Sequence, residues 1–387
     1  MADRPIESLG GRTPLEYAKT PKMDELAAKG EIGMVHTIPD GMKPGSDTAN
    51  LSVLGYNPRE FYSGRSPLEA LSIGVPMKDT DVALRCNIVT LSEEEDNYED
   101  RTIIDHSSGE ISTEECAVLL EAVKKELETD IFHFYVGTSY RHCLIWENGE
   151  VVDLVQPHDV LGQKIGDKLP ENEALRTMMK KSYDILVNHP INIERKKKGL
   201  NPANSCWFWG AGTKPALYPF TERTHKKGAM ISAVDLLKGI AVGTSMKVIT
   251  VDAANGGLDT NYEGKANAAL DVLTKDGYDF VYVHLEGPDE MGHQGSVEKK
   301  VKAIERLDER IIRPIAEGLA EAGEDFRMVV LPDHPTPISL RTHTADNVPY
   351  LLYDSTAERS ESWHYNEREA AQTLSLIHIS EPTRLRR

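Results

Sequence analysis

Acidic and imidazole side chains concentrate in two short segments of the second half of the sequence. Asp289 and His293 are spaced so that one helical turn would place them on the same side of the backbone. Asp333 and His334 are adjacent, and His343 adds a third imidazole shortly afterwards. Any one of these residues alone is most simply a loop cap or a core hydrogen-bonding group. Together they form a mixed nitrogen and oxygen donor set suited to Mn or Zn, whereas Mg prefers oxygen ligands almost alone, so they predict a two-metal centre.

A serine with the position of a nucleophile lies at Ser46, directly before a helix-like segment. A serine there is commonly an N-cap that accepts a hydrogen bond from the first turn of the helix. The same geometry would also surround it with N–H donors that can hold a phosphate. Metal coordination would lower its hydroxyl pKa and make it a nucleophile. From the residues alone, the capping and nucleophilic interpretations stay balanced.

The elements that must position these residues are short apolar strands that alternate with helical patterns, which predicts an α/β fold with a mostly parallel sheet. The clearest predicted strands are residues 33–38, 247–251, 280–285 and 328–331. The longest predicted helix covers residues 298–322 and has apolar residues at helical spacing. In open α/β sheets, ligands bind beyond the carboxyl ends of the strands. We therefore expect the loops at 39–47, 286–293 and 332–337 to converge.

The segment from about residue 76 to residue 225 has more polar loops and less continuous strands. We interpret it as a smaller α/β domain inserted into the first one. The expected division is therefore residues 1–75 with 226–373 for the metal-binding domain, and residues 76–225 for an inserted substrate-binding domain.

The composition is that of an ordinary soluble globular protein, with 40% hydrophobic and 27% charged residues among 387. No apolar run reaches the roughly 18 residues of a membrane span, and the start lacks a signal-peptide pattern, so we expect a cytoplasmic protein. The formal net charge of -18 argues against a nucleic-acid partner, because phosphate backbones are bound by clustered Lys and Arg. The four cysteines are far apart with no CxxC pair, so neither a disulfide framework nor a zinc knuckle is indicated.

Five segments resemble the archaeal-type cofactor-independent phosphoglycerate mutases of the alkaline phosphatase superfamily: residues 45–50, 64–70, 289–293, 333–337 and 341–343. The resemblance extends from residue 1 to about residue 373. It implies an alkaline-phosphatase-like sandwich with a mostly parallel central sheet. It also implies interconversion of 3-phosphoglycerate and 2-phosphoglycerate through a phosphoserine, without a bisphosphoglycerate cofactor. A metal-dependent phosphohydrolase, a homoserine-kinase-like phosphotransferase and a catalytically impaired metal-binding relative are the alternatives.

The resemblance further implies two divalent cations, which would be Mn, Zn or Mg. The expected ligands are Asp289, His293 and His343 for one ion, and Ser46, Asp333 and His334 for the other. Ser46 would carry the phosphoryl group between two half-reactions. The substrate is then a phosphorylated small molecule.

The inserted domain is expected to bind the glycerate carboxylate and to move protons. The candidate substrate-binding residues are Arg85, Arg141, His158, Asp159, Arg195 and Lys227. Arginine suits this role because its planar fork binds carboxylate or phosphate bidentately. A surface ion pair or a loop hydrogen bond is the alternative role for each candidate. A family histidine is expected near Glu110, but here the histidine is His106, so we assign no catalytic role to this segment.

Both ends of the sequence depart from the family pattern. Family members usually begin with an apolar strand that ends in Asp-Gly-Met, whose aspartate is a metal ligand, whereas residues 1–5 resemble the sequence after that aspartate. We therefore expect the first strand to be missing, and we do not assign Asp3 as a substitute ligand. Residues 375–387 resemble translated sequencing-adapter DNA. We expect residues 374–387 to be a non-native tail outside the fold, the alternative being a genuine basic tail.

Overall fold

The computed structural model describes residues 1–373 and 375–378, and the chain divides into two compact units. The first unit consists of Met1–Tyr62 and the chain from Leu217 onward, and the second unit is Ser63–Ala216. The expected boundaries, 75/76 and 225/226, lie later in the chain than the observed ones. The first boundary moves because helix Arg65–Ser72 packs on strands of the second unit.

The described residues contain strands, α-helices and short helical turns, numbered here in chain order. The strands are β1 Glu31–His36, β2 Val82–Leu91, β3 Ile103–Asp105, β4 Phe132–Thr138, β5 Arg141–Trp146, β6 Ser205–Thr213, β7 Gly228–Ile231, β8 Lys247–Ile249, β9 Phe280–Val283, β10 Arg327–Val330, β11 Val348–Asp354 and β12 Leu376–His378. The α-helices are α1 Pro14–Tyr17, α2 Pro21–Ala28, α3 Ser46–Val53, α4 Pro58–Phe61, α5 Arg65–Ser72, α6 Thr113–Leu127, α7 Glu173–Leu186, α8 Pro190–Lys197, α9 Phe220–Thr224, α10 Asp235–Gly243, α11 Tyr262–Thr274, α12 Gly287–His293, α13 Val297–Leu307, α14 Arg313–Glu321 and α15 Glu367–Gln372. The short turns are 3₁₀ at Glu7–Leu9, Tyr98–Asp100, Pro157–Asp159 and Gly166–Lys168, and π at Asp308–Ile312. Within the described ranges, no helix combines the length and apolar character that a membrane crossing requires.

The described strands of the first unit form two sheets. In one sheet, β7 lies between β8 and β9, and both pairings are parallel. In the other, the order is β10-β11-β1-β12, with β11 antiparallel to both neighbours. Parallel neighbours need a long, usually helical crossover, whereas the segment 331–347 between β10 and β11 contains no helix and returns as an antiparallel strand. The strand pairing therefore gives a mixed α/β unit with several sheets.

The segment expected to be a tail outside the fold contributes an edge strand to the first unit. β12 pairs in parallel with β1, in the register Met34 to Leu376 and Val35 to Ile377. The carbonyl oxygen of Ser375 also accepts a hydrogen bond from the N–H of Met34 at 2.8 Å. The pairing satisfies backbone groups of β1, and the non-native origin of this segment stays a prediction. Residues 374 and 379–387 of the expected tail lie outside the described residues.

The long helix predicted over residues 298–322 forms as α13 and α14, with the π turn between them. Its predicted apolar face is confirmed as buried: Val301, Ile304, Leu307, Ile311 and Ile315. Asp308 in the π turn accepts hydrogen bonds from the N–H groups of Lys22 and Met23, at 3.2 and 2.7 Å. Pro314, which has no N–H to donate, follows directly in the first turn of α14. The π turn therefore accommodates Pro314, and its Asp308 accepts hydrogen bonds from the first residues of α2.

The second unit is built around β2, which is buried along its whole length. β2 pairs antiparallel with β3, β5 and β6, and β5 pairs antiparallel with β4. Apolar residues of α6 and α7, including Leu119 and Met179, belong to the same core as β2. The inserted unit therefore combines helices with an antiparallel sheet.

Candidate functional site

The metal-ligand candidates lie on segments that follow strands of the first unit. Ser46 is the first residue of α3, which comes after β1. Asp289 lies in the first turn and His293 in the last turn of α12, which comes directly after β9. Asp333 and His334 follow β10. The structure brings these segments together through the side-chain contacts described next.

Asp289 is the residue around which the three candidate imidazoles collect. Its Oδ2 lies 3.3 Å from His293 Nε2, and its Oδ1 lies 3.4 Å from His343 Nε2 and 4.0 Å from His334 Nδ1. Ligand atoms of Asp289, His334 and His343 all lie within 4.8 Å of one another. The Thr336 hydroxyl donates to Asp289 Oδ1 and so fixes the carboxylate. The result is a compact group of nitrogen and oxygen donors.

The two histidines nearest Asp289 have ring nitrogens that point at each other. His293 Nε2 and His343 Nε2 are 2.9 Å apart. His293 Nδ1 lies 3.0 Å from the carbonyl oxygen of Arg341, which can only accept a hydrogen bond. Nδ1 therefore carries a proton, and in the neutral ring Nε2 keeps the free lone pair that a metal needs. The His334 ring stacks on His343 with centroids 3.8 Å apart, which completes the group.

Ser46 contacts the same group through His334. Ser46 Oγ lies 3.0 Å from His334 Nε2, which is 3.4 Å from Asp333 Oδ2. Asn50, one helical turn after Ser46, donates through Nδ2 to the Ser46 carbonyl at 2.7 Å and to Asp333 Oδ2 at 3.0 Å. The Tyr282 hydroxyl donates in turn to Asn50 Oδ1 at 2.5 Å. Sequence reasoning did not select Asn50, although its spacing from Ser46 on one helix face was a usable signal.

The charges of the group follow from burial and from these contacts. Burial opposes ionisation of Asp289, but its hydrogen bonds with His293 and His343 hold its pKa far below the ordinary value. The hydrogen bond with Asp289 raises the pKa of His293 to about 9. Burial lowers the pKa of His334, and although burial also opposes ionisation of Asp333, the neighbouring His334 keeps the pKa of Asp333 below its usual range. Both carboxylates are thus ionised, the form that binds cations.

A buried ion pair supports the segment that carries Asp333 and His334. Lys300 Nζ donates to Asp3 Oδ2 at 2.7 Å and to the Thr336 carbonyl at 2.8 Å, and both charged side chains are fully buried. The Asp3 carboxylate also accepts from the N–H of Ile338. Asp3 is therefore engaged in holding this segment. Sequence reasoning missed Lys300, although a lysine on the apolar face of a predicted helix was a signal.

Four of the six substrate-binding candidates lie close together in the second unit. Arg85 Cζ lies 4.8 Å from the centre of the Trp209 ring, and the His158 ring is 5.5 Å from the same indole. Arg141 Cζ lies 5.4 Å from the Tyr140 ring. His158 Nε2 is 3.8 Å from Asp159 Oδ1. We call the set Arg85, Tyr140, Arg141, His158 and Trp209 the arginine–tryptophan cluster.

Strand register explains why residues distant in sequence form this cluster. Arg85 on β2 is opposite Trp209 on β6, and Asn87, two residues further on, is opposite Arg141 on β5. Alternate residues of a strand share a face, and directly paired residues of antiparallel strands are neighbours on that face. The Trp209 indole N–H also donates to Asn87 Oδ1 at 3.1 Å. The two guanidinium groups are therefore carried by one face of the sheet.

Arg195 and Lys227 have other surroundings. Arg195 is buried and donates to Glu115, to the Ser108 carbonyl at 2.7 Å and to the Asn201 carbonyl at 2.9 Å. Its guanidinium therefore joins parts of the second unit to one another. Lys227 is exposed at the amino-terminal end of β7, where its N–H donates to Asp279, whereas the metal-ligand candidates follow carboxyl ends of strands. These contacts of Arg195 and Lys227 are therefore with residues other than the four remaining substrate-binding candidates.

Comparison with known proteins gives a consistent set of relatives. A family model described as 2,3-bisphosphoglycerate-independent phosphoglycerate mutase matches residues 27–192. A protein of that name from Methanosarcina barkeri is 49% identical over 381 residues, which span 97% of this chain and 94% of the relative. A probable enzyme of the same name from Geobacter sulfurreducens is 46% identical over 382 residues, with 97% and 94% coverage.

Two solved structures resemble the chain over nearly its whole length. A Pyrococcus horikoshii protein has a TM-score of 0.81 at 32% identity, covering 99% of this chain and 92% of that one. A cofactor-independent phosphoglycerate mutase from Thermoplasma acidophilum has a TM-score of 0.65 at 25% identity, covering 99% and 95%. The similarity extends across both units.

Proposed function

The chain belongs to the family of 2,3-bisphosphoglycerate-independent phosphoglycerate mutases, which are isomerases, and we propose that it interconverts 3-phosphoglycerate and 2-phosphoglycerate through a phosphoserine on Ser46. The observation that carries the proposal is the contact of the Ser46 hydroxyl with a group of ionised carboxylates and imidazoles, 3.0 Å from His334 Nε2. A hydroxyl on a helix N-terminus, next to cation-binding groups, is suited to attack a phosphoryl group. The two substrates are glycolytic intermediates, and we propose a cytoplasmic enzyme.

The donor set supports two divalent cations. Asp289, His293 and His343 would hold one, and Ser46, Asp333 and His334 would hold the other. The fit rests on the Nε2 atoms of His293 and His343, which lie only 2.9 Å apart beside the Asp289 carboxylate. A cation that accepts the lone pairs of both nitrogens would stabilise this arrangement. When bound, such ions neutralise charge on the phosphoryl group and lower the hydroxyl pKa of the serine. The nitrogen-rich donor set favours Mn or Zn over Mg.

The residues around Ser46 have positioning roles in this proposal. Ser46 Oγ forms a bond to phosphorus while the bond from phosphorus to the glycerate oxygen breaks, and that oxygen takes a proton. In the second half-reaction, the other hydroxyl of glycerate loses its proton and forms a bond to phosphorus while the bond from phosphorus to Ser46 Oγ breaks and the serine hydroxyl takes up a proton. Asn50 holds the Ser46 backbone and Asp333 in fixed relation through its two hydrogen bonds. Thr336 orients the Asp289 carboxylate by donating to it.

We propose that the second unit supplies the groups that bind the glycerate carboxylate. Arg85 and Arg141 offer planar forks for a carboxylate, and His158 with Asp159 adds groups that can exchange protons. The support is that Arg85, Arg141 and His158 belong to the arginine–tryptophan cluster and that Asp159 lies next to His158. Arg195 and Lys227 have no part in the proposal. For the first unit, we propose the alkaline-phosphatase-like arrangement, supported by the position of its candidate ligands after strand ends.

The proposal is tested by supplying 3-phosphoglycerate and Mn²⁺ and coupling 2-phosphoglycerate to enolase. Intact-mass measurement after exposure to substrate gives an independent readout of one phosphoryl group on the protein, and peptide mapping assigns it to a residue. We expect 2-phosphoglycerate formation and phosphorylation at Ser46. Release of inorganic phosphate without 2-phosphoglycerate would instead identify a hydrolase. Metal uptake without phosphoserine would identify an impaired relative.

A further inference from the structure

His106 joins the arginine–tryptophan cluster although no role was assigned to it from sequence. It follows β3 in the second unit, and its ring meets the edges of two cluster residues. The ring centroids are 5.7 Å from Tyr140, at an interplanar angle of 90°, and 6.0 Å from His158, at 68°. Asn87 Nδ2 donates to the His106 carbonyl at 3.2 Å, while Asn87 Oδ1 accepts from Trp209. His106 is thus attached to the cluster through its backbone and through its ring.

The imidazole of His106 has an unused polar atom. Its Nδ1 is buried and has no hydrogen-bond partner anywhere in residues 1–373 or 375–378. A buried polar nitrogen without a partner costs free energy, so such atoms in native proteins usually face a ligand or water. The neighbouring guanidinium groups of Arg85 and Arg141 make the region favourable for an anionic ligand.

The loop that carries His106 is held in one conformation by Asp105. The Asp105 carboxylate accepts hydrogen bonds from the N–H and hydroxyl of Ser107, both at 2.8 Å, and from the N–H of Gly109 at 2.6 Å. Asn201 Nδ2 donates to it at 2.8 Å. Glu110, near which the family resemblance led us to expect a histidine, is exposed and has a φ of 52°. The imidazole of this loop therefore belongs to His106, and position 110 carries a glutamate.

We propose that His106 binds the glycerate part of phosphoglycerate through a hydrogen bond from its Nδ1 to the carboxylate or hydroxyl of the substrate. The inference rests on the proposed function, because it takes phosphoglycerate as the ligand. It adds a residue to the substrate-binding set and gives a partner to the buried Nδ1 of a ring that contacts Tyr140 and His158. The ligand class is a small α-hydroxy or phosphorylated hydroxy carboxylate.

The test compares ligand binding by the full chain and three variants, using calorimetry with Mn²⁺ present. His106→Phe keeps a ring for Tyr140 and His158 to pack against but removes Nδ1. His106→Asn returns a polar nitrogen near the same position. The matched control is His133→Phe, a histidine on β4 of the same unit that pairs with Glu147 at 3.3 Å. Thermal unfolding of each variant establishes that it is folded.

We expect His106→Phe to weaken the Kd for 3-phosphoglycerate and for D-glycerate by about tenfold or more, the loss typical of a hydrogen bond to a charged group. Binding of inorganic phosphate should stay unchanged, and His106→Asn should recover part of the loss. Equal affinities for 3-phosphoglycerate in His106→Phe and His133→Phe would overturn the inference, as would failure of the unaltered chain to bind 3-phosphoglycerate. Affinity loss in a chain that binds 3-phosphoglycerate but lacks mutase activity would keep the inference and reject the proposed function.

Discussion

The metal-ligand group of the first unit and the arginine–tryptophan cluster of the second unit use opposite chemistry. In the first, the carboxylate of Asp289 lies within 3.3 and 3.4 Å of two imidazole nitrogens that can become metal ligands. In the second, guanidinium groups rest on aromatic rings, and Arg85 pairs with Glu69 at 3.1 Å. The first region concentrates side chains that donate electron pairs to a cation. The second concentrates positively charged side chains that donate hydrogen bonds to an anion.

The two regions also differ in the structure that supports them. The metal-ligand group lies on segments after strand ends, and these segments are held by isolated contacts such as the Lys300–Asp3 ion pair and the Thr336 hydrogen bond. The cluster is carried largely by paired strands, where register fixes the neighbours. We infer that cation binding in the first unit depends on single side chains, whereas ligand binding in the second is shared among several residues. Substitutions should therefore have unequal effects in the two regions.

The largest effect should come from Ser46→Ala in the first unit. Removing a nucleophile eliminates the covalent intermediate, so mutase activity should fall by about a thousandfold or more. Intact-mass measurement should then detect no phosphoryl group on the protein. Ser52→Ala, a buried serine on the same helix, is the control and should retain both signals. Phosphorylation of the Ser46→Ala protein at another residue would disprove the assignment of the nucleophile.

Asp289→Asn should have the next largest effect, because Asp289 is the carboxylate that the imidazoles share. Loss of its charge should remove one bound metal per chain, measured by elemental analysis. Activity should fall by at least about a hundredfold, since even residues outside the metal's own ligand shell commonly contribute tenfold to a hundredfold. Glu290→Gln, the adjacent acidic position on α12, provides the control. If metal content is unchanged in Asp289→Asn, the proposed ligand set is incorrect.

The proximity of the metal-ligand residues followed from general rules applied to the sequence. Asp289 and His293 were spaced for one helix turn, and Asp333 and His334 followed an apolar strand, so both pairs were expected at strand ends. The residues that support these ligand candidates could not be predicted from the same rules. The Lys300–Asp3 ion pair joins residues almost 300 positions apart, and such a pair depends on tertiary packing. The direction of β11 also depended on the path of the connecting segment.

The second unit was less predictable because its cluster depends on strand register. Arg85 and Trp209 become neighbours only once β2 and β6 pair with a register shift near Arg85, which sequence alone does not reveal. Arg195 looked similar to Arg85 in sequence, yet its hydrogen bonds are all to other parts of the unit. Both arginines are buried, so only their partners, which the tertiary fold determines, separate them. Lys227 lies directly before β7, a strand that was not among those predicted from the sequence.

A moderate effect is expected from Arg85→Lys in the second unit. The substitution keeps the positive charge but removes the planar fork and the stacking on Trp209. KM for 3-phosphoglycerate should rise by about tenfold with a smaller change in kcat, the pattern of lost substrate binding. Arg176→Lys, at an exposed position of α7 in the same unit, is the control. An unchanged KM would place substrate binding outside the cluster and weaken the contrast between the two regions.

The smallest expected effect is a pH dependence of the stability of the second unit, caused by a histidine on β5, the strand that carries Arg141. The neighbouring His142 is buried, and burial lowers its pKa from 6.5 to about 4. Between these values the unfolded chain binds a proton that the folded chain does not, so the second unit should lose stability as pH falls from 6.5 towards 4. The shift corresponds to about 3 kcal/mol at most. Urea unfolding followed by tryptophan fluorescence should show this slope, and His142→Gln should flatten it while His133→Gln retains it. Identical slopes in His142→Gln and the unaltered chain would mean that the proton is taken up elsewhere.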